Sequence, residues 1–125
     1  MNQLESMPNL ILIVEDEKLN YQLLKLLLDK NNFLHIWAKN GEEAVDICKS
    51  NNEIGLIIMD IKMPVMDGLV ATKKIKALKP ALKILAHTAF AMDFDYIEAL
   101  EAGCDDYITK PAKNELLLSK IRQYL

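Results

Sequence analysis

The chain has 125 residues, enough for one domain with a buried core, and its make-up is ordinary for a globular protein at 51% hydrophobic and 26% charged. A net charge of -3 and a pI near 5.4 argue against nucleic acid as the main partner, because phosphate binding calls for a basic face. No apolar run approaches the roughly 18 residues of a membrane span, and the start lacks the basic and apolar regions of a signal peptide, so no membrane insertion is expected and the expected setting is cytoplasmic. Cys48 and Cys104 sit in helix-like contexts among apolar neighbours and read as buried thiols in a reducing compartment.

Residues 1–9 form a short polar lead, and residues 10–125 read as the domain. Leu10 to Val14 is an apolar run with two Ile and a Val, hence a strand, and it ends on Glu15, Asp16 and Glu17. Helical spacing of Leu19, Leu23, Leu26 and Leu27 predicts a helix over 18–29, stopped at Asn31 and Asn32. Residues 33–38 make a second strand. Asn40 can cap a helix over 41–49 in which Ala44, Val45 and Cys48 share a face. Residues 55–60 are the third strand, four apolar residues running straight into Asp60 before the chain turns away through Pro64, Asp67 and Gly68. Gly68 opens a helix with Val70, Ala71, Ile75 and Leu78 as its inner stripe, ended by Pro80. Residues 83–88 form the fourth strand. An acidic helix over 93–102 is closed by Gly103. Residues 106–109 are the fifth strand, and a last helix over 113–125 is expected to bury Leu116, Leu117, Ile121 and Tyr124.

Five strands alternating with five helices imply right-handed crossovers and a parallel sheet covered on both faces. The length fits a flavodoxin-like doubly wound (βα)5 fold with strand order 2-1-3-4-5. All strands of such a sheet end along one edge. Strand 1 ends at Glu15 and Asp16, strand 3 at Asp60 and strand 4 at Thr88, and Lys110 follows strand 5. Three carboxylates, a hydroxyl and an ammonium therefore converge on one crevice. Two carboxylates about 5 Å apart repel by roughly 3 kcal/mol at an effective dielectric of about 20, so the cluster calls for a compensating cation or a function. Lys110 offsets part of the repulsion, and a hard divalent ion such as Mg²⁺ suits the all-oxygen remainder. Capping and dipole complementation at the start of the first helix are the plainer reading of Glu15 and Asp16, and that reading weakens once Asp60 and Lys110 stand beside them. A carboxylate next to Mg²⁺ and a lysine is equipment for accepting a phosphoryl group, with the Thr88 hydroxyl placed to donate a hydrogen bond to one of its oxygens.

The segments ILIVEDE (11–17), IIMDIKMPVMDG (57–68), HTA (87–89) and GCDDYITKP (103–111), in this order and spacing, closely resemble the receiver domain of two-component response regulators, over essentially all of the chain from Leu10. The resemblance implies that Asp60 is the phosphoacceptor. It implies that Asp16 and Asp60 bind Mg²⁺ directly, Glu15 through water and Lys62 through its backbone carbonyl. Thr88 and Lys110 would contact the phosphoryl group, a cis peptide is implied at Lys110–Pro111, and Thr88 and Tyr107 would form the switch that alters the face of helix 4, strand 5 and helix 5. The implied partners are a sensor histidine kinase or histidine phosphotransfer domain, docking on helix 1 and the loops around Asp60, and a downstream protein on the switch face. The Glu15-Asp16-x-x-x-Asn20 start and the loop at 64–68 look like receivers of hybrid histidine kinases. The resemblance also implies no enzyme in the ordinary sense, only catalysis of the domain's own phosphorylation and slow dephosphorylation.

Two positions depart from the family pattern. His87 replaces an aliphatic residue and points to the other side of its strand from Thr88; it reads as a satisfied or partly exposed histidine, with a protonation that biases the switch near neutral pH as the sharper alternative. Ala112 replaces the phenylalanine common after Lys-Pro. Trp37 and His35 read as packing and surface remote from the site, and Met59, Met63 and Met66 as core and loop filler. Two rival readings share parts of this equipment. An FMN carrier of the same fold would need a phosphate-cradling loop where Glu15, Asp16 and Glu17 stand, and a haloacid-dehalogenase-type aspartyl phosphatase wants a second acid where Lys62 stands.

Overall fold

The computed structural model describes residues 8–89 and 93–125. Its elements are β1 (Leu10–Val14), α1 (Lys18–Lys30), β2 (His35–Ala38), α2 (Gly41–Ser50), β3 (Ile54–Met59), α3 (Gly68–Leu78), β4 (Lys83–Thr88), α4 (Asp93–Ala102), β5 (Asp106–Thr109) and α5 (Asn114–Tyr124). The strands form one parallel sheet in the order β2-β1-β3-β4-β5, as the alternation predicts. Of the lead at 1–9, residues 1–7 lie outside the described residues.

The period of two along each strand divides the core into two layers. Leu12 and Val14 of β1, Ile57 and Met59 of β3, and Ile84 and Ala86 of β4 face α2, α3 and α4, where they meet Ala44, Val45, Cys48, Ala71, Ile75 and Ala99. Their alternates Ile11, Ile13, Leu56, Ile58 and Leu85 face α1 and α5, against Leu24, Leu27, Leu28, Leu117 and Ile121. The three central strands are thus apolar on both faces, which is why their sequences run without polar alternation.

Helix faces depart from the expected ones in three places. In α1 the buried residues are Leu24, Leu27 and Leu28, whereas Leu19, Leu23 and Leu26 stand 66%, 60% and 68% exposed. A helix this rich in leucine offers two overlapping periodic stripes, and only packing selects between them. In α3 the inner face is Ala71, Thr72 and Ile75, with Val70 and Leu78 exposed, and in α5 Leu116 is exposed while Leu117 and Ile121 are buried. Cys104 follows Gly103 in the connection to β5 and is not helical; both cysteines are free and buried.

The helix ends nearest Asp60 are specified locally. Asn40 accepts from Glu43 N–H at 2.9 Å and Asp67 accepts from Val70 N–H at 3.0 Å, capping α2 and α3. Gly68 brings the start of α3 against the end of β3, donating its N–H to the Ile61 carbonyl at 2.7 Å. A Cβ at position 68 would lie 2.3 Å from the Asp60 carbonyl oxygen. Since that neighbour is backbone, Gly68→Ala is expected to cost about 2–3 kcal/mol of stability, seen as a lowered urea midpoint at unchanged slope. A variant as stable as wild type would show that this close approach is not obligatory.

Candidate functional site

The C-terminal edge of the sheet collects the predicted residues. Register pairs Val14 with Met59, Met59 with Ala86, and Ala86 with Tyr107, so Glu15 and Asp60 leave their strands at the level of His87, one residue before β4 ends at Thr88. Asp60 N–H donates to the Val14 carbonyl at 3.0 Å, and Lys110 N–H to the Thr88 carbonyl at 2.8 Å, tying the loop bases to neighbouring strands. Glu15, Asp16 and Asp60 bring one carboxylate oxygen each to within 4.8 Å of one another. Lys110 Nζ lies 2.5 Å from Glu15 Oε1 and 3.6 Å from Asp60 Oδ2. Neither Glu15 nor Asp16 caps α1, whose N-cap is Glu17 with no side-chain hydrogen bond, so the capping half of the plainer reading does not hold.

Glu15 and Asp60 share the Lys110 ammonium in a cluster of three acids, and Asp60 carries the consequence. Burial is the largest cause lifting its pKa to about 7, with the neighbouring charge and hydrogen bond of Glu15 next, partly opposed by Lys110. Oxygen-only donors this close suit a small hard cation. Mg²⁺ is such a cation. Glu15, Asp16 and Asp60 are the residues that can hold it.

Thr88 is buried, and among the described residues its Oγ1 has no hydrogen-bond partner. A buried hydroxyl left in this way costs about 1–3 kcal/mol, which makes it an available donor. Tyr107 is half-buried and meets Tyr96 of α4 edge-on, with ring centres 5.6 Å apart. The Lys110–Pro111 peptide is cis. Lys62 lies exposed in the loop two residues past Asp60.

His87 is buried, contrary to the expectation of a satisfied or partly exposed ring, and makes no side-chain hydrogen bond among the described residues. Burial, with the charge of Lys110 second, pushes its pKa down to about 4, so it stays neutral where the sharper alternative needed it to titrate. It lines a groove of about 320 Å³ between α1 and residues 110–117, walled by Leu24, Leu27 and Leu117. Ala112 lines the same groove, offering a methyl where a phenyl ring would occupy space. Trp37, read from sequence as remote packing, donates its indole N–H to the Glu15 carbonyl at 2.8 Å. Nothing local in the sequence marks that contact, since it spans 22 residues and depends on the β1–β2 pairing.

The raised pKa of Asp60 gives a stability test. A carboxyl with a folded value near 7 and an unfolded value near 4 makes the folded protein bind its proton first, so wild type gains stability as pH falls from 7 toward 4. In metal-free buffer, Asp60→Asn is therefore expected to melt about 5 °C above wild type at pH 8, with the advantage shrinking toward pH 4. A variant less stable than wild type at pH 8 would contradict the crowding of the acids.

Residues 11–122 match the response regulator receiver domain family. The chain is 39% identical over 125 residues to hybrid signal transduction histidine kinase I of Dictyostelium discoideum, covering 94% of this chain but 7% of that protein. It is 36% identical over 121 residues to the polar-differentiation response regulator DivK of Brucella anthropi, covering 95% of this chain and 98% of that one. Among solved structures, the receiver domain of sensor histidine kinase PA1611 from Pseudomonas aeruginosa, with a magnesium ion coordinated in its active-site cleft, superposes with a TM-score of 0.86 at 30% identity, covering 93% of this chain and 96% of that one. The receiver domain of Ssk1 from Saccharomyces cerevisiae, in complex with the histidine phosphotransfer protein Ypd1, superposes with a TM-score of 0.86 at 35% identity, covering 94% and 90%. Matched along nearly its whole length, with the acids, hydroxyl and lysine gathered at one sheet edge, the chain belongs to the response regulator receiver domain family.

Proposed function

We propose that residues 10–125 form a phosphoacceptor switch of a two-component system, taking a phosphoryl group from a sensor histidine kinase or histidine phosphotransfer domain onto Asp60 in a Mg²⁺-dependent step. The observation that carries this reading is Lys110 Nζ within 4 Å of both Glu15 and Asp60, beside three carboxylates that together exceed its charge. An Asp60 carboxylate oxygen attacks phosphorus, the P–N bond of the phosphohistidine breaks, and the donor imidazole leaves. Lys110 exchanges Glu15 for the incoming oxygens, and Thr88 donates its free hydroxyl to one of them. Asp16 and Asp60 directly, Glu15 through water and Lys62 through its backbone carbonyl would hold Mg²⁺, which when bound would supply charge to balance the transferring group. The chain's own chemistry stops at gaining and slowly losing that group, so it is a signalling element and not a turnover enzyme.

The same reading assigns the two outer faces. A donor must bring phosphohistidine to Asp60, and the exposed Leu19, Leu23 and Leu26 of α1, with the groove beside Lys110, are the apolar surface next to that approach. On the other side, movement of Thr88 toward the phosphoryl group opens space for Tyr107 to turn inward, changing the face of α4, β5 and α5 where Tyr96, Ile97 and Leu100 are exposed and a downstream protein would bind. A cytoplasmic setting agrees with two buried free thiols, and among the described residues no helix is long and apolar enough to cross a membrane. Nucleic acid is no part of this scheme, in keeping with the acidic net charge.

Incubation with acetyl phosphate and Mg²⁺ followed by intact mass is expected to show one added phosphoryl group on wild type. None should appear on Asp60→Asn or without the metal. Folded, metal-bound wild type that gains no mass would overturn the reading.

A further inference from the structure

We infer that Trp37 is a positioning residue for the acidic cluster, holding the Glu15–Asp16 peptide in the orientation the site needs. The inference rests on the Mg²⁺ reading above and extends it to a residue outside the cluster.

Glu15 is tied to β2 twice. Its N–H donates to the Ala38 carbonyl at 3.1 Å, continuing the ladder that pairs Ile13 with Trp37 and Val14 with Ala38. Its carbonyl receives the Trp37 indole N–H at 2.8 Å, a side chain standing where a parallel ladder would next have offered a backbone donor. The Glu15 carbonyl and the Asp16 N–H share one rigid peptide plane, so fixing the first sets the direction in which the chain enters Asp16. Side-chain bonds also act on this short connection: Lys110 holds the Glu15 carboxylate, and Asn20 Nδ2 donates to Glu17 Oε2 at 3.2 Å. The Glu17 N–H reaches Glu15 Oε2 at a long 3.3 Å, and α1 begins without a side-chain cap.

The indole is itself held in place. Tyr21 of α1 stacks on it with ring centres 3.8 Å apart and planes 3° from parallel, and Lys39 Nζ sits 5.4 Å from its centre. One side chain on β2 therefore links the β1–α1 connection to the first turn of α1. Support of this kind, one bond behind the ligands, typically governs metal affinity by 10–100-fold.

The test is calorimetric titration of Mg²⁺ into wild type, Trp37→Phe and Tyr21→Leu. Trp37→Phe keeps an aromatic ring and loses the N–H; Tyr21→Leu keeps the N–H and loses the stack. Expected results are Mg²⁺ binding about 10-fold weaker for Trp37→Phe and within about 2-fold of wild type for Tyr21→Leu. Raising Mg²⁺ to saturation should return Trp37→Phe to the wild-type rate of labelling by acetyl phosphate. In wild type the one indole N–H resonance of the chain should shift across the same titration, a readout available even if Trp37→Phe fails to fold. Unchanged affinity in Trp37→Phe, or an indole signal that ignores Mg²⁺, would reduce Trp37 to packing and overturn the inference. Wild type that binds no Mg²⁺ would remove both this inference and the reading beneath it. Weaker Mg²⁺ binding in Trp37→Phe, in a protein that acetyl phosphate never labels, would overturn the phosphoacceptor role while leaving the positioning role intact.

Discussion

Lys110 holds together an arrangement that electrostatics would otherwise drive apart. Its ammonium reaches Glu15 and Asp60 from the end of β5, while Asp16 adds a third carboxylate to the cluster. One positive charge against three negative ones leaves an excess, and burial magnifies it. The excess is relieved by a proton on Asp60, by a divalent cation, or by rearrangement around a phosphoryl group. On the proposed function, each relief would change what Lys110 and Thr88 touch, and the crowded acids would be both the chemical site and the source of the switch.

The sheet exists in the form that makes this crowding possible. Its three central strands are apolar on both faces, which buries them between two helix layers and aligns their ends at one edge. Asp60 has no freedom to back away, because its N–H is bonded to the Val14 carbonyl and its own carbonyl lies against Gly68. Thr88 is likewise confined, buried with its hydroxyl unpaired among the described residues. Rigid strands thus hold an unfavourable charge arrangement in place and keep a donor unsatisfied beside it.

Much of this was legible in the residues themselves. Strand runs ending on Asp60, Thr88 and the pair Glu15 and Asp16 announce which side chains meet, because a parallel sheet allows only one edge for them. The cap at Asn40 is local and was readable from its residue type, whereas Asp67, read from sequence only as part of a turn, also caps α3. Packing choices among near-equivalent residues were not legible. The leucines of α1 fit two stripes, and the buried one, Leu24, Leu27 and Leu28, follows from how α1 lies on the sheet. Trp37 looked remote because its bond to Glu15 crosses between strands, and the burial of His87 depends on α1 and the Ala112 segment closing over it.

The central claim is that the acids are crowded enough to raise the pKa of Asp60. The most direct measurement is a carbon-detected NMR titration of the Asp60 carboxyl in metal-free protein, repeated with Mg²⁺. A midpoint near 7 without metal, falling well below that when Mg²⁺ is present, is the expected result. A midpoint near 4 in both conditions would contradict the account.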